Sequence, residues 1–243
     1  MLTLNNIAHT LRGIGRLLYP HVCPICGGRI EGDQQAFCTS CMVDAPVTEF
    51  EQLADNPVAR RIWNFIPIQR ASSLLYFVGD GDWRRLVYRF KFAGGWRYAV
   101  IAGRMLGEAI GSSPIWSGVD CVTAVPLHHR RLLGRGYNQS EYIAQGVGEV
   151  LGVPLLRGAL ARRGHNPPQA QTDKELRWEN VEGIFEVTRP ELLENRHLLL
   201  IDDVFTTGAT LISCGEAILR AVPSCRLSIA TLYVSKQELS IKD

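Results

Sequence analysis

Leu198 to Thr210 reads LLLIDDVFTTGAT, and the fold follows from how this stretch is parsed. Leu198 to Ile201 form a short continuous apolar run, as in a strand buried on both faces of a parallel sheet. Two adjacent carboxylates, Asp202 and Asp203, come next and are expected at the strand's end. Thr206, Thr207, Gly208, Ala209 and Thr210 then lead into a segment with Leu211, Cys214, Ile218 and Leu219 at helical spacing. A strand, a hydroxyl-rich turn and a helix N-terminus together make an anion site. Backbone N–H groups and Thr hydroxyls converge there, and the helix dipole favours negative charge. No Lys follows the turn, so the P-loop pattern GxxxxGK[ST] is absent. Carboxylates ahead of a phosphate turn suit a ligand with diol hydroxyls beside a phosphate, that is, a ribose phosphate. The plainer alternative is an acidic strand end and an ordinary helix start, since Asp and Thr are good N-caps.

The same residues resemble the phosphoribosyl-pyrophosphate (PRPP) loop of type I phosphoribosyltransferases. That resemblance implies that Asp202 and Asp203 take the ribose 2′- and 3′-hydroxyls. It also implies that Thr206, Thr207, Gly208, Ala209 and Thr210 cradle the 5′-phosphate.

A chain of 243 residues, 46% hydrophobic and 21% charged, is long enough for a sizeable core and has the composition of a soluble globular protein. No apolar run approaches the ~20 residues that span a bilayer. The first twenty residues lack a basic region ahead of a long apolar core, so a cytoplasmic location is expected. A net charge of +2 does not announce a nucleic-acid binder. The cations are 22 Arg against four Lys, a bias that suits bidentate phosphate contacts or reflects only the coding bias of a GC-rich genome.

Near the N-terminus, Leu4, Ile7, Leu11, Ile14, Leu17 and Leu18 suggest a short amphipathic helix packed on its own chain. Cys23-x2-Cys26 and Cys38-x2-Cys41 follow, separated by eleven residues. Two such knuckles place four thiolates where one tetrahedral ion can hold them, as in a zinc ribbon or treble clef. A disulfide pair is disfavoured in a reducing cytosol. A redox CxxC would not come twice and lacks its βαβ context. Four Cys close the shell around Zn²⁺ and leave no place for water, so the role expected is structural. Cys121, Cys214 and Cys225 read as core thiols.

Residues 49–69 read as a linker with a helix over 57–65, and 71–78 as a strand. Asp82 is placed to cap a helix carrying Trp83, Leu86, Val87 and Phe90 on its apolar side. Arg84, Arg85, Arg89 and Lys91 decorate this segment and are nucleic-acid candidates. Interleaved Trp83, Tyr88, Phe90, Phe92, Trp96 and Tyr98 would stack bases. A solvated amphipathic helix with core aromatics is the alternative. A second helix spans 97–110. A strand over 119–125 then runs into a basic loop, PLHHRR, in which Arg130 and Arg131 are the candidates for a pyrophosphate. His128 and His129 are read as exposed loop histidines. A helix over 141–151 follows, and residues 162–182 read as a long mobile loop. A short strand over 183–187 precedes the core strand, and 225–233 closes the sheet.

The order of parts resembles the ComF family over essentially the whole length. The residues that carry this are the leader ending LLYP, the paired CxxC knuckles, KFAGG, VPLHHRRLLGRGYNQS, Gln169, Arg177-x2-Asn180 and the stretch at 202–210. Asn166 departs from the pattern, standing where Thr is expected ahead of Gln169. The resemblance implies an α/β, type I phosphoribosyltransferase fold with a mainly parallel, Rossmann-like sheet flanked by helices. The domains it implies are an N-terminal helix and four-cysteine zinc finger over 1–50, a linker over 51–70 and a phosphoribosyltransferase-like domain over 71–243. PRPP with Mg²⁺ is the implied ligand. DNA uptake in competent bacteria, with single-stranded DNA and a competence helicase or ATPase as partners, is the implied setting.

Overall fold

In the computed structural model the described residues are 22–30, 36–77, 82–90, 94–163, 183–237 and 239. The expected helix at 4–18, the turn at 79–81, Lys91, Phe92 and the loop from 164 to 182 lie outside them.

Four parallel strands form the sheet: β1 (Ala71–Phe77), β2 (Cys121–Ala124), β5 (His197–Phe205) and β6 (Arg226–Ser235), in the order β1-β6-β5-β2. The last strand therefore lies inside the sheet. A separate antiparallel pair, β3 (Leu160–Arg162) with β4 (Phe185–Val187), stands beside it. The helices are α1 (Thr39–Val43), α2 (Pro57–Trp63), α3 (Arg84–Arg89), α4 (Trp96–Ser112), α5 (His129–Arg135), α6 (Gln139–Leu151) and α7 (Ala209–Ala221).

The apolar run of β5 splits by strand alternation into two cores. Leu199 and Ile201 pack with α4, α6 and the cysteine knuckle, whereas Leu198 and Leu200 pack with α2 and α7. Helices thus cover both faces of a parallel sheet, the α/β arrangement expected from the sequence. On one face α4 and α6 touch backbone to backbone at paired glycines. A Cβ on Gly146 would lie 2.1 Å from the Val100 carbonyl oxygen, and one on Gly103 would lie 2.1 Å from that of Ile143. Gly146→Val is therefore expected to force the helices apart and cost about 2 kcal/mol or more. Thermal denaturation checks this; a melting point equal to the parent's would contradict the close crossing.

Chain direction opens the crevice that matters. From β2 the chain passes through α6 to Leu155, which bridges back to Val122 on the outer side. From β5 it passes through α7 to β6 on the inner side, with α7 against the opposite face. The connections part between β2 and β5, and ligands of open α/β sheets bind outside the carboxyl ends at such a point.

Two readings are corrected here. The basic stretch after β2 is helix α5, whose residues are all at least partly exposed and so leave no apolar periodicity to read. It is held at its ends, where His128 Nδ1 accepts from the Arg130 N–H and Gly136 closes it at φ +79°. Asp82 does not cap α3 with its side chain; Trp83 is the N-cap and Asp82 pairs instead with Arg85 at 3.4 Å.

Candidate functional site

The two aspartates belong to β5 rather than following it. β5 continues to Phe205 against β6, with Asp202 opposite Thr231 and Val204 opposite Tyr233. On its other side the ladder with β2 stops at Ile201, because β2 turns away through Pro126, which has no N–H to donate. Asp202 to Val204 therefore border an open crevice.

That crevice is a cavity of about 420 Å³. Asp202 and Asp203 line it from β5, Thr206 from the turn that follows and Thr210 from α7. Arg131 and Arg135 reach it from α5, and Arg162 from the end of β3. Phe77, Val87 and Tyr88 close the side toward β1. Arg130 is not among the described lining residues. Thr207 is buried and accepts from the Ala209 N–H at 3.4 Å, so it shapes the turn. Gly208 stands at φ +84°, where a Cβ would also come within 2.9 Å of the Phe205 ring. Glycine is required there on both counts.

The carboxylates are held by the start of α6. Ser140 Oγ donates to Asp202 Oδ1 at 2.9 Å, and Gln139 Nε2 donates to Asp203 Oδ2 at 3.1 Å. Arg135 in turn donates to Gln139 Oε1 at 2.9 Å. Asn138 fixes this helix start, accepting from the Ser140 N–H at 3.2 Å and donating to the Val125 carbonyl at 3.0 Å. The positive end of the α6 dipole faces the acids. Burial, and then the neighbouring Asp203 charge, push the Asp202 carboxyl up to about 7, against the pull of Ser140, the Asp203 N–H and Arg162.

Asp202 consequently destabilises the fold once ionised. Its folded value lies above the ~3.9 of an unfolded chain. The contribution it makes is whole below about pH 4 and is lost as pH rises through about 7, on the order of 2–4 kcal/mol. Asp202→Asn is expected to melt higher than the parent at pH 8, with the gap shrinking toward pH 5. A variant less stable than the parent at pH 8 would refute this.

Arg162 is the residue that sequence reasoning missed. Its Nε is buried without a hydrogen-bond partner, and its guanidinium lies 5.4 Å from the centre of the Phe185 ring. Burial, then the Arg131 charge, lower its proton affinity, while Asp202 opposes them. Cationic groups crowded at one wall, one with an unused donor, are arranged for an anion. No local pattern in the sequence marks Arg162, Gln139 or Ser140 as neighbours of Asp202 and Asp203, which lie far along the chain from all three.

A second cluster stands apart. The Sγ atoms of Cys23, Cys26, Cys38 and Cys41 lie within 4.8 Å of one another, and Cys26 and Cys38 are 3.6 Å apart. Zn–S bonds of ~2.3 Å imply a tetrahedral edge of about 3.8 Å, so the donor set fits a zinc ion. Burial raises the Cys23 thiol, but the N–H groups of Cys38, Cys26 and Ile25 outweigh it and bring it down to about 7. Burial and the three neighbouring sulfurs push Cys41 strongly up, a repulsion that a bound dication removes.

The nucleic-acid candidates separate. Trp83 and Phe90 are core residues, while Tyr88 and Trp96 are 44% and 37% exposed. Arg84 donates to the Tyr88 hydroxyl at 2.8 Å, and Arg85 turns to the knuckle, donating to the Ile25 carbonyl at 3.4 Å. Arg89 is exposed.

No protein-family model matches the chain. DNA utilization protein YhgH of Salmonella typhimurium is 25% identical over 223 residues, 90% of this chain and 93% of that protein. Its Escherichia coli K12 counterpart is 25% identical over 202 residues, 82% and 84%. Competence protein F of Haemophilus influenzae is 30% identical over 131 residues, 52% of this chain and 57% of that one. The chain is a homologue of these ComF and YhgH proteins. Among solved structures, the glutamine PRPP amidotransferase of B. subtilis complexed with ADP and GMP is 17% identical, with a TM-score of 0.42. That likeness covers 60% of this chain and 30% of the amidotransferase chain. Among the described residues no helix of the homologue is long and apolar enough to cross a membrane.

Proposed function

We propose that this chain binds PRPP with Mg²⁺ at the carboxyl ends of β2 and β5 and supports phosphoribosyl transfer. One observation carries the reading: paired carboxylates, Thr206 and Thr210 from the two ends of the turn, and three arginines share a single 420 Å³ cavity. Asp202 and Asp203 hold the ribose hydroxyls, and Thr206 to Thr210 receive the 5′-phosphate at the start of α7. As the bond from C1 to pyrophosphate breaks and the bond from C1 to an acceptor forms, negative charge grows on the leaving group. Arg131, Arg135 and Arg162 neutralise it, a task of positioning and electrostatics rather than of a strong base. Asp202 and Asp203 would help hold Mg²⁺, a hard ion that takes oxygen ligands, and when bound it would supply further positive charge. Arg135 and Arg162 thus join the sequence candidate Arg131. The four-cysteine knuckle is read as a structural Zn²⁺ site. The names of the relatives support a setting in DNA use and competence. Calorimetry with PRPP in the presence and absence of Mg²⁺ is the test; no heat under either condition would end the proposal.

A second reading rests on the surface beside the cavity. Exposed Tyr88 and Trp96 stand among Arg84, Arg89 and Arg97, a combination that suits single-stranded DNA. Binding there is expected to fall steeply between 50 and 200 mM salt, by about 10-fold or more for a few phosphate contacts. Arg84→Glu with Arg89→Glu should abolish it. Affinity that is flat with salt, or unchanged in that variant, would discard the reading.

A further inference from the structure

α3 separates two cavities. Val87 and Tyr88 face the one already described, whereas Asp82 and Trp83 face a cavity of about 330 Å³ against the cysteine knuckle. Among the described residues none lines both. We propose that this second cavity is a docking site for an arginine or lysine side chain, presented by a basic segment of a partner protein that also carries apolar residues.

Its walls select the ligand. Trp83 forms one side, with its indole N–H donating to the Cys41 carbonyl at 3.2 Å. Ile25 and Pro46 add apolar surface, and Asp44 and Asp82 stand at the exposed rim. Apolar surface from Ile25, Pro46 and the edge of the largely buried Trp83, with carboxylates nearby, accommodates the methylene stem of an alkyl cation and attracts its charge. Neither Lys nor Arg is among the described lining residues, in a chain with 26 of them. Arg85 meets Asp82 only at 3.4 Å with both side chains more than half exposed, a pairing too weak to close the rim. Asp44 has a Ser40 hydroxyl at 3.5 Å. Once the knuckle holds Zn²⁺, four thiolates give it a net charge of about −2, and two of them, Cys26 and Cys41, line this cavity. With Asp44 and Asp82 this charge outweighs the nearby cation Arg85, which donates to the Ile25 carbonyl at the edge, and favours a cationic ligand.

The rim argues for a protein rather than a free polyamine. Met42 and Val43, between the lining residues Cys41 and Asp44, are 41% and 78% exposed. An apolar pair beside a charged pocket is covered by the flanking side chains of a peptide and left wet by a polyamine.

Calorimetry on the full, zinc-loaded chain tests this with three probes: acetyl-Leu-Leu-Arg-Leu-amide, the same peptide with citrulline for arginine, and spermidine. The arginine peptide is expected to bind at least 10-fold more tightly than the other two. Asp44→Asn with Asp82→Asn should weaken it at least 10-fold, with zinc content by elemental analysis and PRPP binding both unchanged. Met42→Ser with Val43→Ser should weaken the peptide and leave spermidine unaffected. Equal binding of the citrulline peptide, an unaffected Asp variant with full zinc, or no binding of the arginine peptide at millimolar concentration would each overturn the proposal. Spermidine binding as tightly as the peptide would assign the cavity to a free polyamine and overturn it as well.

Discussion

Asp202→Asn combined with Asp203→Asn is expected to abolish Mg²⁺-dependent PRPP binding measured by calorimetry. The two carboxylates come from consecutive positions of β5 and line one cavity, each held by a different side chain of α6. The change replaces charged acceptors for two ribose hydroxyls by neutral amides and removes the charge that helps hold Mg²⁺. Hydrogen bonds to charged groups contribute about 1.5–3 kcal/mol each. Two of them correspond to an affinity loss on the order of 10²–10⁴. The result separates cleanly from unfolding, because removing the buried charge of Asp202 is expected to stabilise the fold at pH 8. A variant that melts at or above the parent temperature and no longer binds is the expected outcome. Unchanged binding in a folded variant would defeat the ribose assignment. Arg162→Gln extends the test to the other wall. It shortens the side chain and deletes the guanidinium, with its unused donor and its contact to the Phe185 ring, so about a 10-fold to 100-fold loss of PRPP affinity is expected. Equal affinity for ribose 5-phosphate in parent and variant would place that loss on the pyrophosphate.

How much of this could be read beforehand depended on the range of the forces involved. The β5 run, the turn at 206–208 and the paired CxxC spacing are local signals, since burial, backbone geometry and ligand spacing each act within a few residues. Strand alternation in β5, with Leu198 and Leu200 on one face and Leu199 and Ile201 on the other, follows from the same locality. The basic stretch at 129–135 reads as a loop because a helix that buries nothing leaves no apolar period, although Gly136, in a positive-φ C-cap, marks a stop. β3 has three residues, too few for a pattern. Arg162 enters the cavity only because β3 pairs with β4 and stands beside the sheet. Its closeness to Asp202 is tertiary, and so is the handling of both acids by Gln139 and Ser140. The aromatic-basic segment at 83–98 shows the converse. One sequence pattern supplies core to one side, through Trp83 and Phe90, and exposed rings to the other, through Tyr88 and Trp96.

Stripping the metal from the knuckle, or replacing Cys41 by Ser, is expected to lower the melting temperature by about 10–20 °C, corresponding to roughly 5 kcal/mol for a chain of this size. The knuckle has little core of its own. Cys23, Ile25, Ile30, Phe37 and Cys41 are continuous with Leu74, Leu75, Trp83 and Leu86 of the face that also carries α4 and α6. Phe37 and Trp83 rings sit 5.8 Å apart, and the Trp83 indole is tied to the Cys41 carbonyl. When the four sulfurs lose a shared cation, Cys41 takes back its proton and the bonds that tie the two knuckles together are gone, which favours opening. Trp83, buried in the intact chain, then meets water, and tryptophan emission should shift to the red as zinc leaves. Because α3 carries Trp83 at one end and Val87 and Tyr88 at the other, loss of the knuckle is expected to weaken PRPP binding without touching a single ligand contact from β5. Elemental analysis must first establish that the metal is gone. A metal-free chain with the parent's melting temperature and tryptophan emission would mean that the cysteines are ordinary core thiols, and the coupling through α3 would fall with the zinc assignment.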